Sequence, residues 1–64
     1  MVGFIETVSN GNKVMINLFQ VQMIEPVRDS NQCIIRFASG DLEDMVVDEH
    51  YDALIRKIGM VSEH

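Results

Sequence analysis

The sequence contains one cysteine, one proline and no tryptophan, and it has only five Lys and Arg residues among 64. A lone cysteine excludes a disulfide within the chain and is typical of a reducing compartment. No apolar run approaches the roughly 18 to 20 residues that a membrane-spanning helix needs. The opening segment, MVGFIE, lacks the basic region and cleavage site of a secretory signal. We therefore expect a cytoplasmic protein with no membrane partner.

Basic residues are outnumbered by ten acidic residues, which gives a formal net charge of −5. Proteins that bind nucleic acids gain most of their affinity from Lys and Arg side chains that neutralise phosphates. Nucleic acid is therefore an unfavoured partner. The alternative function is a nucleic-acid-binding regulator that uses a small basic patch on one sheet face, formed by Lys13, Arg28 and Arg36.

Apolar residues are abundant for a chain of this length, since they make up 47% of it and five are methionines. A domain of this size buries only about 60% of the surface that its unfolded chain exposes. Small domains often gain stability by self-association. We expect a homodimer or a higher homo-oligomer, and the simpler alternative is a monomer with several exposed Met and Val side chains.

Two strands joined by a tight turn open the chain. The β-branched and aromatic side chains of residues 2–8 alternate, which places Ile5 and Thr7 on one face of a strand. The Asn-Gly pair at 10–11 supplies the positive φ that a two-residue hairpin requires. The chain then returns as a second strand over residues 13–16.

The main apolar positions of residues 14–27, VMINLFQVQMIEPV, change phase within the segment. They are even-numbered up to Leu18 and odd-numbered from Phe19 to Met23. A one-residue shift of this kind exchanges the two faces of a strand. Pro26 argues against one continuous helix. We predict a helical turn at 18–20 that is capped by the Asn17 side chain. A separate strand then covers 21–27, with Pro26 at its end or on an edge.

Two more strands and a helix complete the pattern. A polar turn at 28–31 precedes a strand over 32–38, QCIIRFA, whose alternation places Cys33 inward. A hairpin at 39–41 leads to a last strand over 42–47.

The helix has the clearest signals of any segment. Asp48 is a favoured N-cap residue, Glu49 adds negative charge to the first turn, and Gly59 is typical of the residue that ends a helix. We predict a helix over 49–58. Its apolar stripe at i, i+3, i+4 and i+7 is formed by Tyr51, Leu54, Ile55 and Ile58.

These elements predict a single α+β domain over 1–60, followed by a frayed tail at 61–64. Its fold class is a small antiparallel sheet of four to five strands in hairpins, with one C-terminal amphipathic helix packed on one face. A helix of the predicted length cannot cover such a sheet completely. We expect the uncovered apolar surface or a free strand edge to contact a second copy.

The run NLFQVQMIEP at 17–26, then a strand, the hairpin ASGD at 38–41, another strand and an acid-capped helix, resembles the flagellar FlbD-type proteins and many short proteins of phages and prophages. The shared outline covers about residues 4–58 and consists of structural signals. The resemblance implies a small cytoplasmic regulatory or accessory protein and not an enzyme. FlbD-type members tend to carry basic residues around the second hairpin, whereas SGDLED is acidic here, so no functional residue is carried over.

No catalytic constellation stands out in the sequence. Cys33 and His50 are a nucleophile and a base by residue type, but Cys33 lies within an apolar alternation, where a cysteine is usually a small buried hydrophobe. His50 and the acids around it have the oxygen and nitrogen atoms that a divalent cation binds, yet their spacing matches no EF-hand loop. We expect no catalytic residue, no metal site and no cofactor.

The acids between positions 41 and 52 are the feature with functional potential. Their simpler interpretation is a solvated rim that keeps an apolar domain in solution. The sharper interpretation is an anionic patch that docks a basic surface of another protein. We expect a non-enzymatic accessory protein that acts through protein–protein contacts. The residues predicted to bind the partner are Asp41, Glu43, Asp44, Glu49 and Asp52.

Overall fold

The computed structural model describes residues 3–62, and their elements follow the predicted order. The elements are β1 (Phe4–Ser9), β2 (Asn12–Asn17), a 3₁₀ turn (Leu18–Gln20), β3 (Val21–Pro26), β4 (Cys33–Phe37), β5 (Met45–Val47) and α1 (Tyr51–Ser62). The strands form two antiparallel sheets, β1–β2 and β3–β4–β5. The α+β class with one C-terminal helix is thus confirmed, although the strands divide between two sheets.

A two-residue turn joins β1 and β2. Asn10 and Gly11 have φ angles of 53° and 81°, and positive φ at both central positions is what a type I′ hairpin turn requires. The resulting register turns Ile5 and Thr7 into the core, where each is 2% exposed. The predicted hairpin is confirmed, and Ile5 and Thr7 share one face of β1 as the alternation predicted.

The 3₁₀ turn at Leu18–Gln20 accounts for the change of apolar phase. The Asn17 side chain accepts a hydrogen bond from the Phe19 N–H at 3.0 Å, as predicted for the cap. A new strand, β3, then begins at Val21. It ends at Pro26, and the predicted position of Pro26 at a strand end is confirmed. The register between β3 and β4 slips shortly before Met23. No sequence signal indicated this bulge, and Met23 is half exposed beyond it.

The two sheets meet at the ends of β1 and β5. The Asp48 N–H donates to the Val8 carbonyl at 2.6 Å, and the Ser9 hydroxyl donates to the Val46 carbonyl at 2.7 Å. Both sheets and the helix contribute to one core between them. Its fully buried apolar side chains are Ile5, Ile16, Cys33, Ile35, Val47 and Leu54.

The last strand is shorter than predicted. The turn at 39–41 forms, since the Leu42 N–H donates to the Ser39 carbonyl at 3.2 Å. β5 nevertheless begins at Met45 and not at position 42. The intervening residues include two carboxylates, which have low strand propensity, and they remain outside the ladder.

The helix begins later than predicted, at Tyr51. Asp48 does not cap it, because the Asp48 carboxylate accepts a hydrogen bond from Gln32 Nε2 at 2.8 Å instead. His50 takes the capping role: its Nδ1 accepts from the Asp52 N–H at 3.2 Å, which satisfies a donor of the first turn.

The helix also ends later than predicted, at Ser62. Gly59 lies inside it, since a glycine in a helix interior costs only about 1 kcal/mol relative to alanine. Of the predicted tail 61–64, the first two positions are helical and the last two lie outside the described residues. On the predicted apolar stripe, Leu54 is fully buried whereas Ile55 is 41% exposed.

The helix is anchored by Leu54, and a truncation there tests this packing. We expect Leu54→Ala to lower the free energy of unfolding by about 2–5 kcal/mol, because it leaves a cavity in the core. Urea unfolding followed by circular dichroism measures the change. Arg56→Ala, on the exposed side of the same helix, is the control and should stay within about 0.5 kcal/mol of the wild type. Equal losses for both variants would contradict the assigned buried face.

Candidate functional site

A groove of about 920 Å³ lies between the β1–β2 hairpin and the loop that precedes β5. Four exposed apolar side chains form part of its wall, from Phe4, Met15, Leu42 and Val46. Among the described residues that line it, none is Lys or Arg. Four carboxylate residues line it as well, and these are Asp41, Glu43, Asp44 and Asp48. We call it the acidic groove.

Strand alternation places the apolar wall outside the core. Because Ile5 and Ile16 point inward, their neighbours Phe4 and Met15 point outward, and these are 47% and 60% exposed. Val46 of β5 is outward for the same reason and is 45% exposed. These strands therefore carry apolar side chains on both faces, where a half-buried strand commonly has polar residues on its outer face.

The structure brings three of the five predicted partner-binding acids together in this groove, and these are Asp41, Glu43 and Asp44. Asp52 is not among the lining residues, since it lies in the first turn of α1 with its side chain 77% exposed. Asp48 joins the groove, although sequence reasoning assigned it to the helix cap. Its hydrogen bond with Gln32 holds it there.

Arg36 connects the rim of the acidic groove to β3. Its guanidinium bonds the Asp44 carboxylate at 2.6 Å and also bonds the Glu25 carboxylate. In the proposed basic patch, Arg36 therefore already contacts two anions. Lys13 lies in β2 of the other sheet, and Arg28 lies in the turn after β3. The predicted grouping of these three residues on one sheet face is wrong, because the strands divide between two sheets.

Glu49 occupies a different cluster, between the sheets and α1. Its carboxylate accepts from the Thr7 hydroxyl at 2.7 Å and pairs with Lys57 Nζ at 2.8 Å. Lys57 Nζ also donates to the Glu6 carbonyl at 2.7 Å, and the Cys33 thiol donates to the Glu49 carbonyl at 3.2 Å. We call Thr7, Cys33, Glu49 and Lys57 the Glu49 cluster. Glu49 is thus directed into the fold and away from the acidic groove.

Burial and charge act in opposite directions on Glu49. Burial raises the pKa of its carboxyl group, but hydrogen bonds from Lys57 and Thr7, together with the positive charge of Lys57, outweigh burial and leave the pKa below its ordinary value. Burial, and secondly the negative charge of Glu49, raise the pKa of the Cys33 thiol. A thiol with a raised pKa stays protonated at neutral pH, which is the opposite of an activated nucleophile.

Cys33 and His50 are both engaged in structural contacts. Cys33 is fully buried, and His50 uses Nδ1 to cap α1. Within residues 3–62, no three His, Cys, Asp or Glu side chains group in a way that could hold a metal ion. Over the same residues, α1 is the one helix, and it has neither the length nor the apolar run to cross a membrane.

No protein-family model, curated protein or solved structure matches this chain. The functional interpretation therefore depends on the geometry of the acidic groove and the Glu49 cluster.

The Glu49 charge should make the stability of the fold depend on pH. We expect Glu49→Gln to lower the free energy of unfolding at pH 7 by about 1.5–3 kcal/mol, the usual range for hydrogen bonds to a charged group. Because the pKa of Glu49 is lower in the folded than in the unfolded state, its contribution is complete above the unfolded value of about 4.3. It is then lost as the pH falls through the folded value.

Urea unfolding at a series of pH values measures this effect. The gap between wild type and Glu49→Gln should narrow as the pH falls below about 4.3. Glu43→Gln removes the same charge from an exposed loop position and should change stability at pH 7 by no more than about 0.5 kcal/mol. A gap that stays constant into acid would show that the Glu49 charge does not stabilise the fold.

Proposed function

We propose that this protein is a non-enzymatic interaction module whose acidic groove binds a segment of another protein. The segment would carry apolar side chains next to Lys or Arg. The observation that carries this proposal is the meeting of four exposed apolar side chains and four carboxylates around one groove. Exposed apolar patches rimmed by polar residues are typical of interaction sites, and carboxylates favour a cationic partner.

The two kinds of lining residue would have different roles. Full burial of an exposed Phe or Met side chain contributes about 1.5–3 kcal/mol, so burying the exposed half of Phe4 or Met15 would contribute about half of that. An exposed ion pair contributes only about 0–1 kcal/mol. The apolar wall would therefore provide most of the affinity. The carboxylates would select among partners and accelerate association with basic ones.

A small accessory or regulatory protein, as the resemblance to FlbD-type proteins implies, would act through a surface of this kind. The free thiol of Cys33 favours the cytoplasm as the compartment of the interaction. Nucleic acid is a poor fit to the acidic groove, because its phosphates would face carboxylates. Arg36 would in addition have to leave Asp44 and Glu25 to bind a phosphate.

Selection from a random peptide library displayed on phage, with the immobilised protein as target, tests the proposal. We expect the enriched peptides to combine Leu, Phe or Met with Lys or Arg, and synthetic copies to bind in fluorescence anisotropy. Enrichment of acidic peptides, or failure to enrich any binder, would contradict the proposed function.

An apolar substitution locates the binding site of a selected peptide. We expect Met15→Gln to weaken binding by about 10-fold or more, since it removes part of the apolar wall. Met60→Gln is the matched control, because Met60 is 69% exposed on α1 and is not among the groove residues. Similar losses for both variants would place the site elsewhere.

A charge substitution tests the rim separately. The double variant Asp41→Asn, Glu43→Gln and the control Asp29→Asn, Asp52→Asn each remove two negative charges, so both change the net charge from −5 to −3. Asn is suitable at position 29, where φ is 61°, because it tolerates this conformation. We expect the rim variant alone to bind the peptide about 2- to 30-fold more weakly. Equal weakening would show that only total charge matters.

A further inference from the structure

A second, shallower groove of about 330 Å³ lies between β3 and α1. Its lining includes Leu18, Met23, Ile24, Tyr51, Ile55 and Ile58. None of the described residues that line it is charged. We call it the neutral groove, and its chemistry differs sharply from that of the acidic groove.

The placement of α1 leaves this groove open. Lys57 binds the Glu6 carbonyl and the Glu49 carboxylate, which fixes the helix beside β1. Leu54 then points into the core, while the next residue, Ile55, is 41% exposed. Across the groove, Met23 of β3 is 50% exposed. The apolar stripe of α1 is therefore wider than the core that it covers.

β3 adds an open strand edge to the same surface. β4 pairs with one edge of β3, and no strand among residues 3–62 pairs with the other. Backbone groups alternate in direction along an antiparallel strand. Because the Val27 N–H is bound to the Gln32 carbonyl on the β4 side, the backbone groups of Ile24 point to the open edge. Pro26 has no N–H and limits pairing at the end of the strand.

We propose that the neutral groove is the contact between two copies of this chain. A two-fold interface uses the same patch on both copies, so the patch must be complementary to itself. Each copy has a net charge of −5, and a self-contact through the acidic groove would bring carboxylates against carboxylates. An uncharged apolar patch avoids this repulsion. Two open β3 edges also offer each other backbone donors and acceptors.

A dimer contact of ordinary size would use only part of the surface of one copy. An interface of ordinary size covers about 800 Å² on each partner. That is about a sixth of the 4653 Å² surface of one copy. The acidic groove involves different residues and stays available to another protein in the dimer. The proposed dimer does not depend on whether the acidic groove has a partner.

Sedimentation equilibrium from low to high micromolar concentration tests the dimer with a matched pair of variants. Met23→Glu and Met15→Glu make the same substitution at exposed strand positions, one at the neutral groove and one at the acidic groove. We expect Met23→Glu to raise the dimer Kd by about 100-fold or more, because each copy brings a carboxylate into the contact. Met15→Glu should leave the Kd unchanged within about three-fold.

A charge-swap experiment separates loss of the interface from loss of folding. One variant carries Met23→Glu and Ile55→Glu, and a second carries Met23→Lys and Ile55→Lys. Each should be folded by circular dichroism and monomeric by sedimentation equilibrium. An equimolar mixture should form a heterodimer, since opposite charges then face each other.

A monomeric wild type at high micromolar concentration would overturn the proposal. So would dissociation by Met15→Glu equal to that by Met23→Glu, or folded swap variants that do not associate. Peptide binding by the Met23→Glu monomer measures the acidic groove independently.

Discussion

The Glu49 carboxylate connects the parts of this fold that the strands alone do not connect. This carboxylate binds Thr7 of β1 and Lys57 of α1, and the backbone carbonyl of Glu49 accepts from the Cys33 thiol of β4. A mostly buried charge is stable only when it is paired and hydrogen-bonded, so these partners restrict where the helix can lie. With α1 held beside β1 by these contacts and by Leu54 in the core, the neutral groove between α1 and β3 remains uncovered. The Glu49–Lys57 ion pair thus helps to determine which apolar surface of the fold stays exposed.

The two grooves differ in what they can bind, because their charges differ. Carboxylates in the acidic groove repel another copy of a chain with net charge −5 and attract a basic partner. The neutral groove has no such selectivity and can meet its own copy without like charges in contact. Strand alternation turns Met15 away from the core in one sheet, and the bulge before Met23 leaves Met23 exposed in the other. In the proposed functions, one small fold would in this way separate self-association from partner recognition.

Local signals in the sequence predicted the turns, the helix-turn cap and a strand end, but not the long-range contacts. The Asn-Gly turn, the Asn17 cap and the end of β3 at Pro26 each depend on a side chain and its adjacent backbone, so they could be predicted from neighbours in sequence. Asp48 and Glu49 could not be assigned in this way. Contacts with Gln32 and Thr7, which are distant in sequence, determine their positions.

The candidate site was predictable only in its charged half. Clustering along the chain is enough to indicate the acids of the 41–44 loop. The apolar half was not predictable, because β1 and β5 carry apolar residues on both faces and periodicity does not tell which face is the core. The role of Lys57 was not predictable either, since only the packed structure shows that it binds Glu49 and the Glu6 carbonyl.

A pair of ¹⁵N–¹H NMR titrations on one labelled sample tests most directly whether the two grooves have separate roles. Raising the protein concentration should move the amide signals of β3 and α1, whereas adding a selected basic peptide should move those of Met15, Leu42 and Val46. Concentration-dependent shifts that map to the acidic groove, or peptide-induced shifts confined to β3 and α1, would contradict this division of roles.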